Sequence, residues 1–266
     1  MAICDLGDVA LHWREDGDPA GAPVVFAHAL GLDLRLWDAV MPLLPQNLRL
    51  IRYDARGHGQ STCPPGPYSM GALIRDAERL LDRLKLRDCV FVGLSVGGLV
   101  AQGLAVKRLD LVRAMVLSNT AVKIGTQAGW QARAAKVQAH GMAAIADEVM
   151  ARWFARGLRD TPQAALWHDR LCATSAEGYS ATCAAIAGAD FITPTSGLRL
   201  PTLVVAGSED GATPPDLVQE TAGLVRGAQY QMIRGAGHLP PVDQPKAFAD
   251  LLSDFLTRIG HADGPG

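Results

Sequence analysis

The sequence has no long uncharged hydrophobic run and little net charge. None of its uncharged stretches reaches the ~20 predominantly apolar residues of a transmembrane helix. The formal net charge is -2, so there is no electrostatic reason to expect nucleic acid or a membrane surface as a partner. Residues 1–5 contain neither the charged region nor the apolar region of a signal peptide, and we therefore expect a cytoplasmic protein.

Cysteines are few and scattered. The five are Cys4, Cys63, Cys89, Cys172 and Cys183. No two of them have the C-x-x-C spacing of a metal or redox site, so we expect reduced thiols and neither a metal nor a cofactor. Cys89 falls in an apolar run and should pack as a small hydrophobic residue.

Hydrophobic residues make up 48% of the chain and charged residues 20%, which is enough for a sizeable core. Apolar runs alternate with helix-compatible segments, and we predict strands at 9–13, 23–28, 48–54, 89–92, 112–118, 201–207 and 229–233. The run 24–27 is apolar without alternation, as in a strand covered on both faces. The sequence therefore predicts an α/β fold with a mostly parallel central sheet and helices on both faces.

From about residue 126 to 190 the sequence becomes alanine-rich and poor in strand signals. Turn signals divide it into short helices, with breaks at Gly141, Gly157, 161–162 and 177–178. We interpret this region as a helical cap inserted into the α/β pattern. This organisation assigns 1–120 and 195–266 to a core domain and 121–194 to the cap.

Two further helices are predicted in the core. One spans 36–44, after the second strand. The other closes the chain over 245–259, where a proline suits the first turn, and Asp243 is expected to cap it.

A Gly-x-Ser-x-Gly pattern at 93–97 follows the central apolar run and leads directly into helix-compatible sequence. This order of strand, sharp turn and helix is the one that a nucleophile elbow requires. Ser95 at its apex is the predicted nucleophile, and Gly93 and Gly97 suit places where strand and helix approach too closely for a Cβ. The competing interpretation is a glycine-rich helix start with an idle serine.

Two backbone N–H groups are expected to stabilise an oxyanion beside this serine. Val96 supplies one at the start of the helix, and Leu30 supplies the other from the loop after the strand 23–28. His28, in the same loop, is interpreted as a hydrogen-bonded loop histidine rather than a proton-transfer group. A structural role is also favoured for His58 and Asp54.

An acid and a base follow in strand-end loops. Asp210 comes after the strand 201–207, and His238 lies in a glycine-flanked loop after the strand 229–233. The order Ser95, Asp210, His238 is the one that accompanies this elbow in an α/β-hydrolase sheet. His238 would take the serine proton and Asp210 would orient the imidazole. Glu209 is the alternative acid.

With these motifs the chain resembles the α/β-hydrolase superfamily over essentially its whole length, and more narrowly the 3-oxoadipate enol-lactonases of bacterial aromatic degradation. The narrower resemblance rests on HALGLDLRLWD at 28–38, YDARGHGQS at 53–61, GLSVGG at 93–98, and LSNTAVKIGT at 117–126 followed by Trp130 and Arg133. The first three segments recur among many esterases, whereas the fourth is more selective. Residues 208–211 lack the His-Asp-Pro of the family, and 237–241 differ after the base.

The resemblance implies hydrolysis of 3-oxoadipate enol-lactone to 3-oxoadipate, in the β-ketoadipate pathway, through an acyl-enzyme on Ser95. The substrate is a small lactone with a free carboxylate, so the pocket needs a cation. Trp130 and Arg133 share a face of a predicted helix at 127–140. Arg133 would pair with the carboxylate and Trp130 would form an apolar wall. Alternatively, Arg133 makes a surface ion pair and Trp130 packs the cap.

Other functions share parts of this pattern. A broad-specificity carboxylesterase or a cofactor-free perhydrolase would have the same three residues, and a non-catalytic relative would bind a ligand beneath the cap. Haloalkane dehalogenases and epoxide hydrolases of this fold need an aspartate where Ser95 stands. The pattern does not decide between a monomer and a homo-oligomer.

Overall fold

The computed structural model describes residues 2–262, so Met1 and 263–266 of the predicted core lie outside the described residues. Within this range eight strands form one sheet: β1 (Ala2–Asp5), β2 (Ala10–Gly17), β3 (Ala22–Ala27), β4 (Leu48–Tyr53), β5 (Cys89–Leu94), β6 (Val112–Ser118), β7 (Thr202–Gly207) and β8 (Gln229–Ile233). Their spatial order is β1-β2-β4-β3-β5-β6-β7-β8. Only β2 pairs antiparallel with its neighbours β1 and β4, which confirms the mostly parallel sheet.

Ten helices accompany the sheet within residues 2–262. They are α1 (Met70–Arg83), α2 (Val96–Lys107), α3 (Gln127–His140), α4 (Ala143–Trp153), α5 (Pro162–Cys172), α6 (Ala176–Ala187), α7 (Ile192–Ser196), α8 (Pro215–Leu224), α9 (Pro240–Asp243) and α10 (Pro245–Arg258). Helices α3 to α7 lie between β6 and β7, where the sequence predicts the cap. No helix in the described part of the chain is long and apolar enough to span a membrane.

The central strands are covered on both faces. Every residue of β5 and β7 is buried, as expected for apolar strands between two helical layers. Helix α2 packs on β5 and β6. Trp37 lies between Phe26 of β3 and Phe248 of α10, with ring centroids 5.1 Å and 5.9 Å away.

The prediction of a helix at 36–44 is wrong. The structure has two 3-10 turns there, Leu34–Trp37 and Met41–Leu43. Asp33 caps the first turn by accepting a hydrogen bond from the Arg35 N–H at 2.9 Å. Pro42 has no N–H and would crowd the carbonyl group four residues before it, which prevents a continuous helix.

Two smaller helix predictions also fail. The break expected at 177–178 lies within the first turn of α6, because Ser175 caps this helix by accepting the Gly178 N–H at 3.1 Å. Asp243 does not cap α10, whose N-cap is Gln244. Its carboxylate bonds the loop after β8 instead, as described below.

A buried ion pair joins α1 to the loop after β4. Arg56 Nε and Nη2 donate to the two carboxylate oxygens of Asp76 at 2.5 Å and 2.7 Å. The two side chains are 7% and 3% exposed. Burial raises the pKa of Asp76, and the Arg56 charge opposes that shift. Each side chain therefore depends on the other to compensate for the water that its charge loses on burial.

We expect Asp76→Ala to lower the free energy of unfolding by about 3 kcal/mol, because it leaves the Arg56 charge buried and without its main partner. Urea denaturation measures the change. Asp82→Ala on the same helix is the matched control, since Asp82 is 38% exposed and pairs with Arg108 at the surface. The control should cost less than about 1 kcal/mol; equal losses would contradict the prediction.

Candidate active site

Ser95 lies in the sharp turn between β5 and α2. Its backbone has φ 57° and ψ -116°, a strained conformation for a serine. The Ser95 N–H donates to Ser118 O at 3.0 Å, and Thr120 Oγ1 donates to Ser95 O at 2.6 Å. Bonds to the last residue of the neighbouring strand β6 and to the loop after it therefore hold the turn in place.

The two glycines of the turn allow the close approach that the sequence pattern indicates. A Cβ on Gly93 would collide with the carbonyl oxygen of Gly97. A Cβ on Gly97 would collide with the carbonyl oxygen of Ala27, at the end of β3. Helix α2 thus begins directly against β3 and β5, with Ser95 at the carboxyl edge of the sheet.

The structure brings Asp210 and His238 together from separate loops. His238 Nδ1 lies 2.9 Å from Asp210 Oδ2, and both side chains are buried. Ser95 and His238 line the same cavity, but no hydrogen bond joins Ser95 Oγ to the imidazole among the bonds of residues 2–262. Hydrogen bonds between catalytic groups are often long in free enzymes and shorten in the reacting complex.

Glu209, the alternative acid, bonds the cap and not the imidazole. Its side chain accepts a hydrogen bond from the Arg156 N–H at 3.0 Å.

The Asp210 carboxylate accepts four hydrogen bonds besides its contact with the imidazole. Ala212 N and Thr213 N donate to Oδ1 at 2.7 Å and 3.0 Å, and Thr213 Oγ1 and Asn119 Nδ2 donate to Oδ2, each at 2.8 Å. Burial by itself would raise the pKa of Asp210, but the charge of His238 and these hydrogen bonds bring it below its ordinary value. The group is therefore a carboxylate at neutral pH.

Asn119 is a functional candidate that the motifs in the sequence do not identify. It directly follows β6, has φ 47° and is fully buried. Its Nδ2 donates both to Asp210 and to Gly237 O, at 2.8 Å and 3.1 Å. The same amide therefore links the loop of the acid to the loop of the base. A polar residue at a strand end was the one available signal.

Gly237, which directly precedes His238, forms hydrogen bonds through both its N–H and its carbonyl group. Gly237 N donates to Asp243 Oδ2 at 2.6 Å, and Gly237 O accepts from Asn119. Burial raises the pKa of Asp243 to about 7, even though the Gly237 N–H favours the carboxylate. This contact replaces the helix cap that the sequence suggests for Asp243.

The end of α4 connects the cap to both loops. Gly211 N donates to Arg152 O at 3.1 Å, and His238 N donates to Trp153 O at 2.7 Å. A third bond runs from Arg156 N to the side chain of Glu209. Residues 152–156 of the cap are therefore bonded to the loops of the acid and of the base.

One predicted oxyanion donor lies in the cavity wall, and the other directly follows the serine in the chain. Leu30 lines the cavity with Ser95, and Val96 is the first residue of α2. Among the backbone hydrogen bonds of residues 2–262, neither N–H donates to another protein group. Leu30 is among the residues that line the cavity, whereas Val96 is not, so the role of both N–H groups as oxyanion donors stays a prediction.

Two buried histidines support the loop that carries Leu30. His28 Nε2 accepts the Ala55 N–H at 2.9 Å, and His58 Nε2 accepts the Gly31 N–H at 3.1 Å. Burial and the neighbouring His28 lower the pKa of His58 to about 3, so His58 stays neutral and can accept this bond. These contacts agree with the structural roles favoured for both histidines.

The cavity has a volume of about 500 Å³ and lies between the core and the cap. Core residues Ser95 and His238 line one side. The cap supplies apolar side chains that include Trp130, Val149 and Trp153, and charged ones that are Arg133, Lys136, Glu148 and Arg152. Within residues 2–262 no group of histidine, cysteine, aspartate and glutamate side chains is arranged to hold a metal ion.

Trp130 and Arg133 share the cavity face of α3. The Arg133 guanidinium lies 5.5 Å from the centre of the Trp130 ring, and Trp130 Nε1 donates to Ile124 O at 2.6 Å. Arg133 also bonds Glu148 Oε1 at 3.0 Å and lies 3.5 Å from the Tyr179 hydroxyl. Arg133 is thus placed in the cavity wall, although it is already paired with a carboxylate.

Comparisons with known proteins agree with this architecture. The model of the alpha/beta hydrolase family matches residues 24–251. The chain is 36% identical to 3-oxoadipate enol-lactonase 2 of Acinetobacter baylyi over 255 residues, which is 95% of each protein.

Two solved structures are also similar. The enol-lactonase from Burkholderia xenovorans LB400 superposes with a TM-score of 0.92 and 36% identity over 96% of this chain and 100% of that one. A thermophilic esterase from Thermogutta terrifontis, with malate bound, has a TM-score of 0.90 and 29% identity over 97% of each chain.

The raised pKa of Asp243 leads to a prediction about stability. From its ordinary value of 3.8 up to about 7, the folded protein keeps a proton that the unfolded chain has released. The stabilisation from this proton is therefore complete below the ordinary pKa and is lost as the pH rises to about 7. The side chain in Asp243→Asn cannot titrate. The free energy of unfolding of this variant should therefore increase relative to that of the wild type as pH rises through this range. Urea denaturation at several pH values tests this, and parallel curves for the two proteins would contradict it.

Proposed function

The chain belongs to the alpha/beta hydrolase family, and from this premise we propose that it hydrolyses 3-oxoadipate enol-lactone to 3-oxoadipate. The relatives named above support a lactone or ester as the substrate. The observation that supports the proposal most is a single cavity lined by Ser95, His238 and Arg133. A nucleophile, its base and a cation for a carboxylate are the groups that this reaction needs.

In the first half of the proposed reaction, Ser95 Oγ attacks the lactone carbonyl carbon while His238 takes the serine proton. The Leu30 and Val96 N–H groups donate to the oxyanion of the tetrahedral intermediate. Asp210 orients the imidazole and stabilises its protonated form. Collapse of the intermediate breaks the ring C–O bond, and His238 protonates the enol oxygen that leaves.

The second half releases the product. The enol formed by ring opening remains attached through the acyl group and tautomerises to the ketone. Water then attacks the acyl-enzyme, with His238 as general base, and the ester bond to Ser95 breaks. Ser95 recovers its proton, and the product leaves with a new carboxylate. No cofactor or metal takes part in these steps.

Recognition of the substrate is proposed to depend on the cap. Arg133 would donate to the free carboxylate in bidentate geometry, and Trp130 would contact the apolar part of the lactone. The malate bound to the Thermogutta esterase shows that a carboxylate ligand occurs with a protein of this fold. Arg133 must share its charge between Glu148 and the substrate.

The first test compares substrates and labels the serine. We expect a much higher kcat/KM for the enol-lactone than for p-nitrophenyl acetate, and loss of activity when a fluorophosphonate labels Ser95. Ser95→Ala should not be labelled and should lose at least about 10³-fold in kcat.

The possible outcomes separate the alternatives. High activity on neutral aryl esters with no preference for the lactone would identify a broad-specificity esterase. Absence of both labelling and hydrolysis would identify a ligand-binding protein.

The second test concerns Arg133. Arg133→Met should raise KM for the carboxylated lactone by about 10- to 100-fold, because a charge-assisted hydrogen bond is lost. KM for p-nitrophenyl acetate, which has no carboxylate, should change little. Steady-state kinetics on both substrates measure the difference, and equal effects on the two would remove Arg133 from the binding site.

A further inference from the structure

The cap wall of the cavity carries an excess of positive charge with one negative group in it. Arg133, Lys136 and Arg152 are its basic side chains, and Glu148 is the one acidic side chain among the described residues that line the cavity. The whole chain has a formal charge of -2, so this local excess is not a property of the protein surface in general. An anion in the cavity is therefore attracted by several groups and repelled by Glu148.

Glu148 compensates two of the three cations directly. Its Oε1 lies 3.0 Å from Arg133 Nη2 and 3.2 Å from Arg152 Nη2. The first pair joins α3 to α4, and the second spans one turn of α4. Glu148 is 48% exposed, so its charge acts on the cavity through partly hydrated surroundings. Glu148 therefore already provides both arginines with a carboxylate partner.

The proposed reaction changes the charge of the molecule in this cavity. The lactone carries one carboxylate, and its hydrolysis consumes water and produces a second carboxylic acid, which ionises at neutral pH. The substrate is thus a monoanion and the product a dianion. A purely cationic wall would hold the product more tightly than the substrate, so the enzyme would be inhibited by its own product.

We propose that Glu148 is a fixed counter-charge that weakens the binding of the dicarboxylate product and thereby promotes its release. This inference rests on the proposed function, since that reaction supplies the added charge. Each carboxylate in the cavity experiences the repulsion separately. Because the second charge adds to this repulsion, Glu148 disfavours a dianion more than a monoanion, and it shifts the relative affinity toward the substrate.

The test measures binding without catalysis. Calorimetric titration gives the Kd of adipate, a six-carbon dicarboxylate, and of hexanoate, the monocarboxylate of equal length. In Glu148→Gln we expect the Kd of hexanoate to fall about threefold and that of adipate to fall further, by up to about tenfold, as for charges separated by partly hydrated surroundings. Added salt should reduce both effects.

Three controls accompany this variant. Glu148→Asp keeps the charge and should keep the wild-type ratio of the two Kd values. Glu220→Gln removes an exposed carboxylate of α8 that does not line the cavity, and should leave both Kd values unchanged. Circular dichroism verifies that each variant is folded.

Every other result overturns the proposal. Equal changes for the two acids would show that Glu148 does not distinguish one charge from two. Weaker binding in Glu148→Gln would mean that Glu148 acts by holding Arg133 in place. Absence of adipate binding to the wild type would show that the cavity does not retain a dianion. Failure to hydrolyse the enol-lactone would refute the proposed function while leaving these titrations interpretable.

Discussion

Burial of the Asp210 carboxylate is the constraint on which the arrangement of this site depends. A charge removed from water is costly unless hydrogen bonds replace its hydration, and Asp210 obtains them from three places. The turn that directly follows Asp210 supplies Thr213 and backbone N–H groups. Asn119, just after β6, supplies a side-chain amide, and the loop after β8 supplies His238. These groups meet because β6, β7 and β8 are parallel neighbours in the sheet. The strand order thus provides both the solvation of the acid and the placement of the base.

The core and the cap contribute different chemistry to the same cavity. Core loops hold Ser95 and His238, the groups proposed to break and form bonds. The cap helices α3 and α4 hold the charged side chains that are proposed to select an anion and, through Glu148, to limit how strongly it is held. This division makes charge recognition adjustable by residues that do not hydrogen-bond the proposed nucleophile or base.

Much of this could be predicted from the sequence because it depends on local patterns. Apolar runs followed by a serine, an aspartate and a histidine at strand ends indicate a shared edge of a parallel sheet. Asn119 has only the weak signal of a polar residue at a strand end, because its role follows from the position of β6 beside β7, which no local pattern encodes. The same holds for Glu148, which meets Arg133 only through the packing of α4 on α3. Tertiary contacts likewise decided the use of Asp243, whose carboxylate bonds a loop instead of a helix end.

The bonds from residues 152–156 to the loops of Asp210 and His238 have a consequence for engineering. The cap is not an independent module, since the carbonyl group of Trp153 and the main chain beside it complete the surroundings of the base. A chimera that received a foreign cap would retain a properly supported imidazole only if the graft reproduced this stretch of backbone. The splice points of such a hybrid should lie outside residues 152–156, so that the C-terminal turn of α4 remains with its parent core.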